Sequence, residues 1–425
     1  MPPLKSTINN NQLIYPPLQT DRMNTQSNPI GVAIIGYGWW GKLLSSLIKR
    51  NSLYKIELVV DPDPKANTQA TNDGYQTALD LESALENKNI DAIFLCTPHT
   101  EHLYQLLACA FSNKHTYCEK PLCPTLSEAL KAIKLFDQKN LVLGVGHDLR
   151  FSAPIIQLLN AIKSRELGKI LQIDGVYAHN KFLELPKDHW RLSQTGSPAG
   201  PLSSGGIHLI DLTISILGQA RSVTANLSNT TNSLPNGDSL SVMLNFMGGE
   251  TAFISSLLTT KFDNRITVYG TKGWIEARES THKENFGEWT LIKNLDNSDL
   301  ESTVIKENSG IEENINAFGN AILKKYDYPI KSNEILYGIA VYERIIDSIK
   351  TGRVVSPFGS STLGIFTHRY EFKSGKTYRF VISPNDPALI INFIGPGSII
   401  YTEANRNSSE DTDNGDLTMK LVDEY

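Results

Sequence analysis

Residues 31–41 read Gly-Val-Ala-Ile-Ile-Gly-Tyr-Gly-Trp-Trp-Gly, and no other stretch restricts the fold as tightly. An apolar run, Val32 to Ile35, enters Gly36-x-Gly38-x-x-Gly41, and a helix-like segment from Lys42 to Arg50 leaves it. That is a strand, a tight turn and a helix N-terminus. Gly36 permits the turn, Gly38 lets backbone approach a pyrophosphate, and Gly41 lets the helix lie close on the strand. The helix start offers unpaired N–H groups and the positive end of a dipole to the same phosphate. A second apolar run, Ile56 to Val60, ends in Asp61, where an acid can bond the hydroxyls of an adenosine ribose. Strand, spacing and acid together predict a dinucleotide-binding unit; a glycine turn alone would not.

The pattern continues to residue 150. Short apolar runs at 32–35, 56–60, 91–96, 115–118 and 141–145 alternate with helix candidates at 40–50, 80–87, 100–112 and 125–138. Near-continuous apolar strands between helices predict a parallel sheet covered on both faces. Such a sheet binds its ligand beyond the strand C-termini. The polar residues fall there: Tyr37, Trp39, Asp61, Thr97-Pro98-His99, Glu119-Lys120-Pro121 and Gly146-His147.

After Arg150 the rhythm changes. A helix is predicted at about 152–164, a strand over 169–180, a loop carrying His189-Trp190-Arg191, and a helix opened by Gly205-Gly206 and running to Leu217. Strand-like runs with hairpin-type breaks fill 219–293, and helices follow at about 311–325 and 332–351. Successive strands without intervening helices predict a second, α+β domain with an open, mostly antiparallel sheet. Residues 359–402 are β-rich, with a hairpin expected about Ser374-Gly375, and 403–418 are polar, acidic and expected to be loose. The expected organisation is a flexible segment 1–29, an α/β Rossmann domain 30–150, an α+β domain 151–358, and a β-rich extension 359–425.

Net charge is −5 with no basic block, which argues against a nucleic-acid or anionic-membrane surface. No apolar run approaches a membrane span, and the Pro/Asn-rich N-terminus lacks the core of a signal peptide, so a cytoplasmic protein is expected. Cys96, Cys109, Cys118 and Cys123 contain no C-x-x-C pair and read as reduced, mostly buried thiols. His99 and His102 have metal-like spacing but no completing ligands, so no metal is expected.

Taken in order, GYGWWG at 36–41, Asp61, CTPHTEH at 96–102, CEKP at 118–121, GVGHDLR at 144–150, HWR at 189–191, GGIHLID at 205–211 and VYGTKGWIEA at 268–277 are similar to the motifs of the Gfo/Idh/MocA oxidoreductases. Glucose–fructose oxidoreductase and inositol dehydrogenase belong to that family. The resemblance spans roughly residues 30–358. It implies a nicotinamide cofactor and a small polyol or sugar substrate. It also implies an oligomer, a homodimer or homotetramer, built on the open sheet.

The resemblance places proton transfer on Lys120 and His208. The cofactor would be lined by Gly36, Tyr37, Gly38, Trp39, Trp40, Gly41, Asp61, Thr97, Pro98, His102, Glu119, Lys120, Trp190 and Arg191, and the substrate by Lys120, Arg150, Ser204 and His208. Asp61 favours NAD because it would repel a 2′-phosphate, while nearby Lys65 leaves NADP open. Asp211, one turn after His208, is suited to orient that helix or ring. Family dehydrogenases often carry an aspartate four residues before the histidine; here the residue is Ser204. That departure and the β-rich tail keep a second reading in play, a dinucleotide-binding regulator without turnover, like the yeast galactose-pathway repressor of this fold; the resemblance also leaves a third, a reductase of imines or enones.

Overall fold

β1 (Ile30–Ile35) is buried at every position, as an unbroken apolar run requires of a strand covered on both faces. The computed structural model describes residues 28–279, 288–296, 298–306, 309–357, 377–382, 398–401 and 415–422. The chain divides into a unit of residues 1–357 and one of 358–425.

In the first unit β1 is joined by β2 (Tyr54–Val60), β3 (Thr77–Ala78), β4 (Ala92–Leu95), β5 (His115–Cys118) and β6 (Leu143–Val145). The sheet is parallel, in the order β3-β2-β1-β4-β5-β6. The chain runs outward from β1 in both directions, so a crevice opens between β1 and β4 at their C-terminal ends. The connecting helices are α1 (Trp39–Lys49), α2 (Pro64–Asn72), α3 (Glu82–Glu86), α4 (His102–Phe111) and α5 (Leu126–Gln138). Of these, α2 has no counterpart in the sequence reading. It buries only Asn67 and Ala70, so it shows no apolar stripe. Local chemistry starts it instead: Pro64 occupies the first turn and the Asp63 side chain accepts from Lys65 N–H.

α6 (Ala153–Lys163) leads to a second sheet of eight strands: β7 (Ile170–Ala178), β8 (Ala220–Ser228), β9 (Ser239–Phe246), β10 (Thr251–Leu257), β11 (Asp263–Gly270), β12 (Gly273–Glu279), β13 (Glu288–Leu295) and β14 (Glu301–Lys306). Their order is β14-β13-β12-β11-β7-β10-β9-β8, antiparallel except between β7 and β10. Burial alternates along the strands. Leu240, Val242, Leu244 and Phe246 of β9 face inward with Ala252, Ile254 and Ser256 of β10. Ser241, Met243, Phe253 and Ser255 lie on the opposite, more exposed face. The inner face packs on α7 (Ile207–Leu217), α6 and α9 (Ser332–Thr351).

α8 (Gly310–Ile322) crosses back over the expected boundary at residue 150 and completes the core of the first sheet. Phe318 packs edge-on against Phe94 of β4 and against Tyr117 of β5. Asn314 donates to the Tyr117 hydroxyl and to the carbonyl of Val145, and the Tyr54 hydroxyl donates to the carbonyl of Ile315.

The second unit contains β15 (Thr377–Ile382), β16 (Ser398–Tyr401) and β17 (Gly415–Val422), antiparallel in the order β15-β17-β16. The expected turn at Ser374-Gly375 lies outside the described residues. The expectation of a loose 403–418 is corrected at its end, where β17 begins. Its alternation of Leu417, Met419 and Leu421 with Asp416, Thr418 and Lys420 is a strand pattern that the preceding acidic run obscured.

Candidate active site

The ends of β1, β2, β4, β5 and β6 converge on one edge of the parallel sheet. At β1, Gly36 takes a φ of +92°, and a Cβ there would meet the Cys96 carbonyl at 2.8 Å. A Cβ on Gly41 would fall 1.9 Å from the Gly36 carbonyl, so α1 can sit this close to the turn only on glycine. Gly38 is different: a Cβ there meets nothing within 4 Å. No side chain caps the start of α1, and no acid occupies its first turn. The loop is thus an open cradle of backbone at a helix N-terminus, suited to an anion.

Asp61, at the end of β2, clamps this loop. Its Oδ2 accepts from Tyr37 N–H at 2.6 Å and its Oδ1 from Asp63 N–H at 2.9 Å. The Tyr37 side chain does not line the cleft as the resemblance implied. It is buried, with its hydroxyl on Asp73 at 2.7 Å, so this residue reaches the loop through its backbone alone. Trp39 is exposed, and Lys181 Nζ sits 5.6 Å over its ring, spanning from the second-sheet side to the start of α1.

At β4, Thr97 donates to the Gln105 side chain, and Pro98 leads into the turn His99–Glu101. His102 is fully buried between two carbonyls, Pro121 at 2.9 Å and Thr97 at 3.1 Å. It therefore ties the β4 loop to the β5 loop. Trp190 packs edge-on against His99 at 4.8 Å, with the Arg191 guanidinium stacked 4.4 Å over its ring.

At β5, Glu119 is buried, and burial raises its carboxyl above the ordinary range against the pull of the Lys120 ammonium and of the Trp40 indole. Its Oε1 has no hydrogen-bond partner among the described residues. A Cβ on Gly146 would lie 2.7 Å from both Glu119 oxygens, so only glycine leaves room for the carboxylate. Lys120, next along, follows a different path. Its Nζ donates to the carbonyls of Ser203 at 2.9 Å and Ser204 at 2.7 Å.

Those two carbonyls come from a π-helical turn, Leu202–Gly206, that precedes α7. The widened turn sends Ile207 N–H to the Leu202 carbonyl five residues back, not to Ser203. The Ser203 carbonyl is then placed to receive Lys120. Gly205 makes the turn fit: a Cβ there would fall 2.0 Å from the Tyr177 ring. That ring in turn stacks on His208, with centroids 6.2 Å apart. Gly205-Gly206 suggests a simple helix opening in the sequence; the structure makes it the end of a π-helical turn.

His208 Nδ1 lies 3.3 Å from Asp148 Oδ1, and both residues are buried. His147 stands perpendicular to His208, its Nε2 3.6 Å from Asp211 and its Nδ1 buried without a partner among the described residues. Burial pushes the His147 imidazole down to about 4, against the Asp211 carboxylate. Arg150 grips Asp211 in a fork, 2.6 and 2.7 Å, and also bonds Glu334. The resemblance assigned Arg150 to substrate; the structure instead buries its guanidinium against two carboxylates, where it fixes Asp211 and the start of α7. Asp148, His147 and His179 were not singled out for this role. Ser204 Oγ bonds His179 Nε2 at 2.8 Å.

A description of an oxidoreductase family with an NAD-binding Rossmann fold matches residues 30–147, and one of the GFO/IDH/MocA C-terminal domain matches 155–276. Together they cover more than half of the chain. The chain belongs to the Gfo/Idh/MocA oxidoreductase family. A Schizosaccharomyces pombe relative, an uncharacterised oxidoreductase, is 28% identical over 45% of this chain, which spans about half (54%) of that protein's length. The 1,5-anhydro-D-fructose reductase of Ensifer adhaerens is 24% identical over 67% of this chain and 85% of its own. Among solved structures, levoglucosan dehydrogenase in complex with NADH and levoglucosan has the same fold, with a TM-score of 0.67 at 18% identity, over 77% of this chain and 99% of that one.

The cleft fits the dinucleotide that this Gfo/Idh/MocA Rossmann fold binds. Gly38 leaves an uncapped helix start open, Asp61 stands at the end of β2, and the buried Glu119 carboxylate carries an oxygen with no hydrogen-bond partner among the described residues.

Proposed function

We propose that this protein is an NAD-dependent oxidoreductase of a secondary alcohol or ketone in a sugar, nucleotide sugar or cyclitol. One observation carries the reading: Lys120 Nζ, at the edge of the cofactor-binding sheet, is held by the turn that launches the His208 helix. The names of the relatives, a reductase of an anhydrosugar ketone and a dehydrogenase of an anhydrosugar alcohol, support the substrate class.

When bound, NAD supplies a two-electron acceptor for hydride. The Gly36–Gly41 loop and the start of α1 hold its pyrophosphate, Asp61 its adenosine ribose, and Glu119 its nicotinamide ribose. Lys120 then handles the proton. An amine and an ammonium can each donate two N–H bonds, so the Ser203 and Ser204 carbonyls orient Nζ in both protonation states. The neutral amine takes the proton of the substrate hydroxyl during oxidation, and the ammonium returns it during reduction. His208, oriented by Asp148, meets the same oxygen or passes the proton on. Arg150 and Asp211 hold the helix that carries it.

No helix among the described residues is long and apolar enough to cross a membrane. The exposed face of the second sheet, with Phe253 and Met243, is the proposed surface for self-association into a dimer or tetramer.

The test is Lys120→Met, assayed by NADH absorbance on a panel of polyols, anhydrosugars and nucleotide sugars. Turnover should fall by about 10³-fold with NAD affinity kept. Unchanged turnover would remove Lys120 from the chemistry. Wild-type protein that binds NAD yet turns over nothing would favour the regulatory reading.

A further inference from the structure

Ser204 is the only residue of the π-helical turn that is not buried, and its backbone carbonyl holds Lys120 Nζ. The same residue presents its carbonyl to Nζ and its side chain to His179. The hydrogen-bond direction at that side chain can be worked out. Lys181 N–H donates to His179 Nδ1 at 3.3 Å, so in the neutral imidazole Nδ1 carries the lone pair and Nε2 the proton. The 2.8 Å contact is then His179 Nε2–H donating to Ser204 Oγ. The hydroxyl hydrogen of Ser204 is left to point away from the imidazole, and no other acceptor for it is found among the described residues. His179 itself is held at the end of β7, buried and edge-on to both Tyr177 and Phe182.

We propose that His179 is a positioning residue that turns Ser204 into a fixed hydrogen-bond donor, which selects substrates with an oxygen on the carbon next to the reacting one. This rests on the oxidoreductase reading above. Lys120 takes the reacting oxygen and Ser204 the adjacent one, so the site is built for a vicinally oxygenated carbinol. A hydroxyl, ether or carbonyl oxygen all accept from Ser204. A deoxy carbon leaves the donor unpaired.

The test uses the full chain with NAD and the probes levoglucosan and myo-inositol, each beside an analogue that is deoxy at the neighbouring carbon. Wild type should discriminate against the deoxy analogue by about 10- to 100-fold in kcat/KM. Ser204→Ala should erase that preference. His179→Leu should lower kcat/KM about tenfold, and His179→Gln, whose amide N–H can still donate to Ser204, should restore most of it. On a Ser204→Ala background, His179→Leu should add nothing. Additive losses, equal behaviour of the Gln and Leu variants, or a deoxy preference that survives Ser204→Ala would each overturn the proposal. If His179→Leu fails to fold, the Ser204→Ala comparison of oxy and deoxy probes decides alone. Wild type without turnover on these probes or on the panel above would refute the oxidoreductase reading, and the proposal with it. Turnover with additive effects would refute only the proposal.

Discussion

Gly205→Ala should separate catalysis from cofactor binding. A Cβ at 205 would stand 2.0, 2.4 and 2.6 Å from three atoms of the Tyr177 ring. Reaching ordinary contact requires the turn and the ring to part by about 1.4 Å. Tyr177 is buried and stacked on His208, so the ring cannot simply swing into solvent. Part of the displacement must be taken by the turn, moving the Ser203 and Ser204 carbonyls off Lys120, or by His208. Overpacking of this kind costs about 2–3 kcal/mol, which lowers Tm by about 5 °C in a unit of this size. A shift of about 1 Å at the reacting groups is worth about 10²-fold in rate. The phosphate cradle at Gly36–Gly41 lies on the other sheet and touches none of these atoms. Calorimetry, NADH titration and steady-state turnover on one preparation should therefore give a lower Tm, an unchanged dissociation constant and a kcat reduced about 100-fold. A variant with wild-type Tm and kcat would refute the argument that the π turn sets the geometry of Lys120. Equal losses in cofactor affinity and kcat would show a general collapse instead.

Gly38→Ala should leave Tm within about 1–2 °C yet weaken NAD at least about tenfold, because its Cβ meets only the open cradle. Gly41→Ala should instead cost about 3 kcal/mol or more of stability, since its Cβ meets backbone at 1.9 Å; thermal melts with and without NAD separate the two. Asp61→Asn should weaken NAD about tenfold and shift the NADP-to-NAD preference toward NADP, measured by titration with each dinucleotide. Between pH 4 and 6.5 the unfolded chain protonates His147 while the folded one does not, so this residue makes stability fall as pH drops, by up to about 3 kcal/mol over that window. Urea melts should show a flatter pH dependence for His147→Gln; subtracting the variant from wild type removes the opposite trend from the raised Glu119 carboxyl.

The parallel sheet was legible because its signals are local. Apolar runs, glycine spacing and Asp61 each depend on a few neighbouring residues, and α1, α4 and α5 start within two residues of where periodicity puts them. α2 escaped because a polar helix held by a cap has no stripe to read. The site was legible in its motifs but not in its connections. Lys120 and His208 stand out by context, yet nothing near Lys120 in the chain announces that its partners are carbonyls at 203 and 204. Arg150 illustrates the same limit. A basic residue in a family-like motif invites a substrate role, and only the fold brings Asp211 and Glu334 to its two sides. Ser204 looked like a lost charge until His179, from the end of β7, came to stand beside its hydroxyl. The parallel pairing of β7 with β10 was likewise invisible, since hairpin breaks describe neighbours in sequence and those strands are not neighbours.

The return of α8 to the first sheet bears on how the protein is made and how it can be recombined. Every strand of the cofactor-binding sheet has been synthesised by residue 145, but Phe318, Asn314 and Ile315 follow more than 160 residues later. Until then Phe94, Tyr117 and the Tyr54 hydroxyl lack the packing that covers them in the native state. The nascent cofactor half thus leaves this apolar surface uncovered until α8 is made. Nor can it be exchanged between relatives by a single cut near residue 150; a functional chimera has to carry α8 along with the sheet it seals.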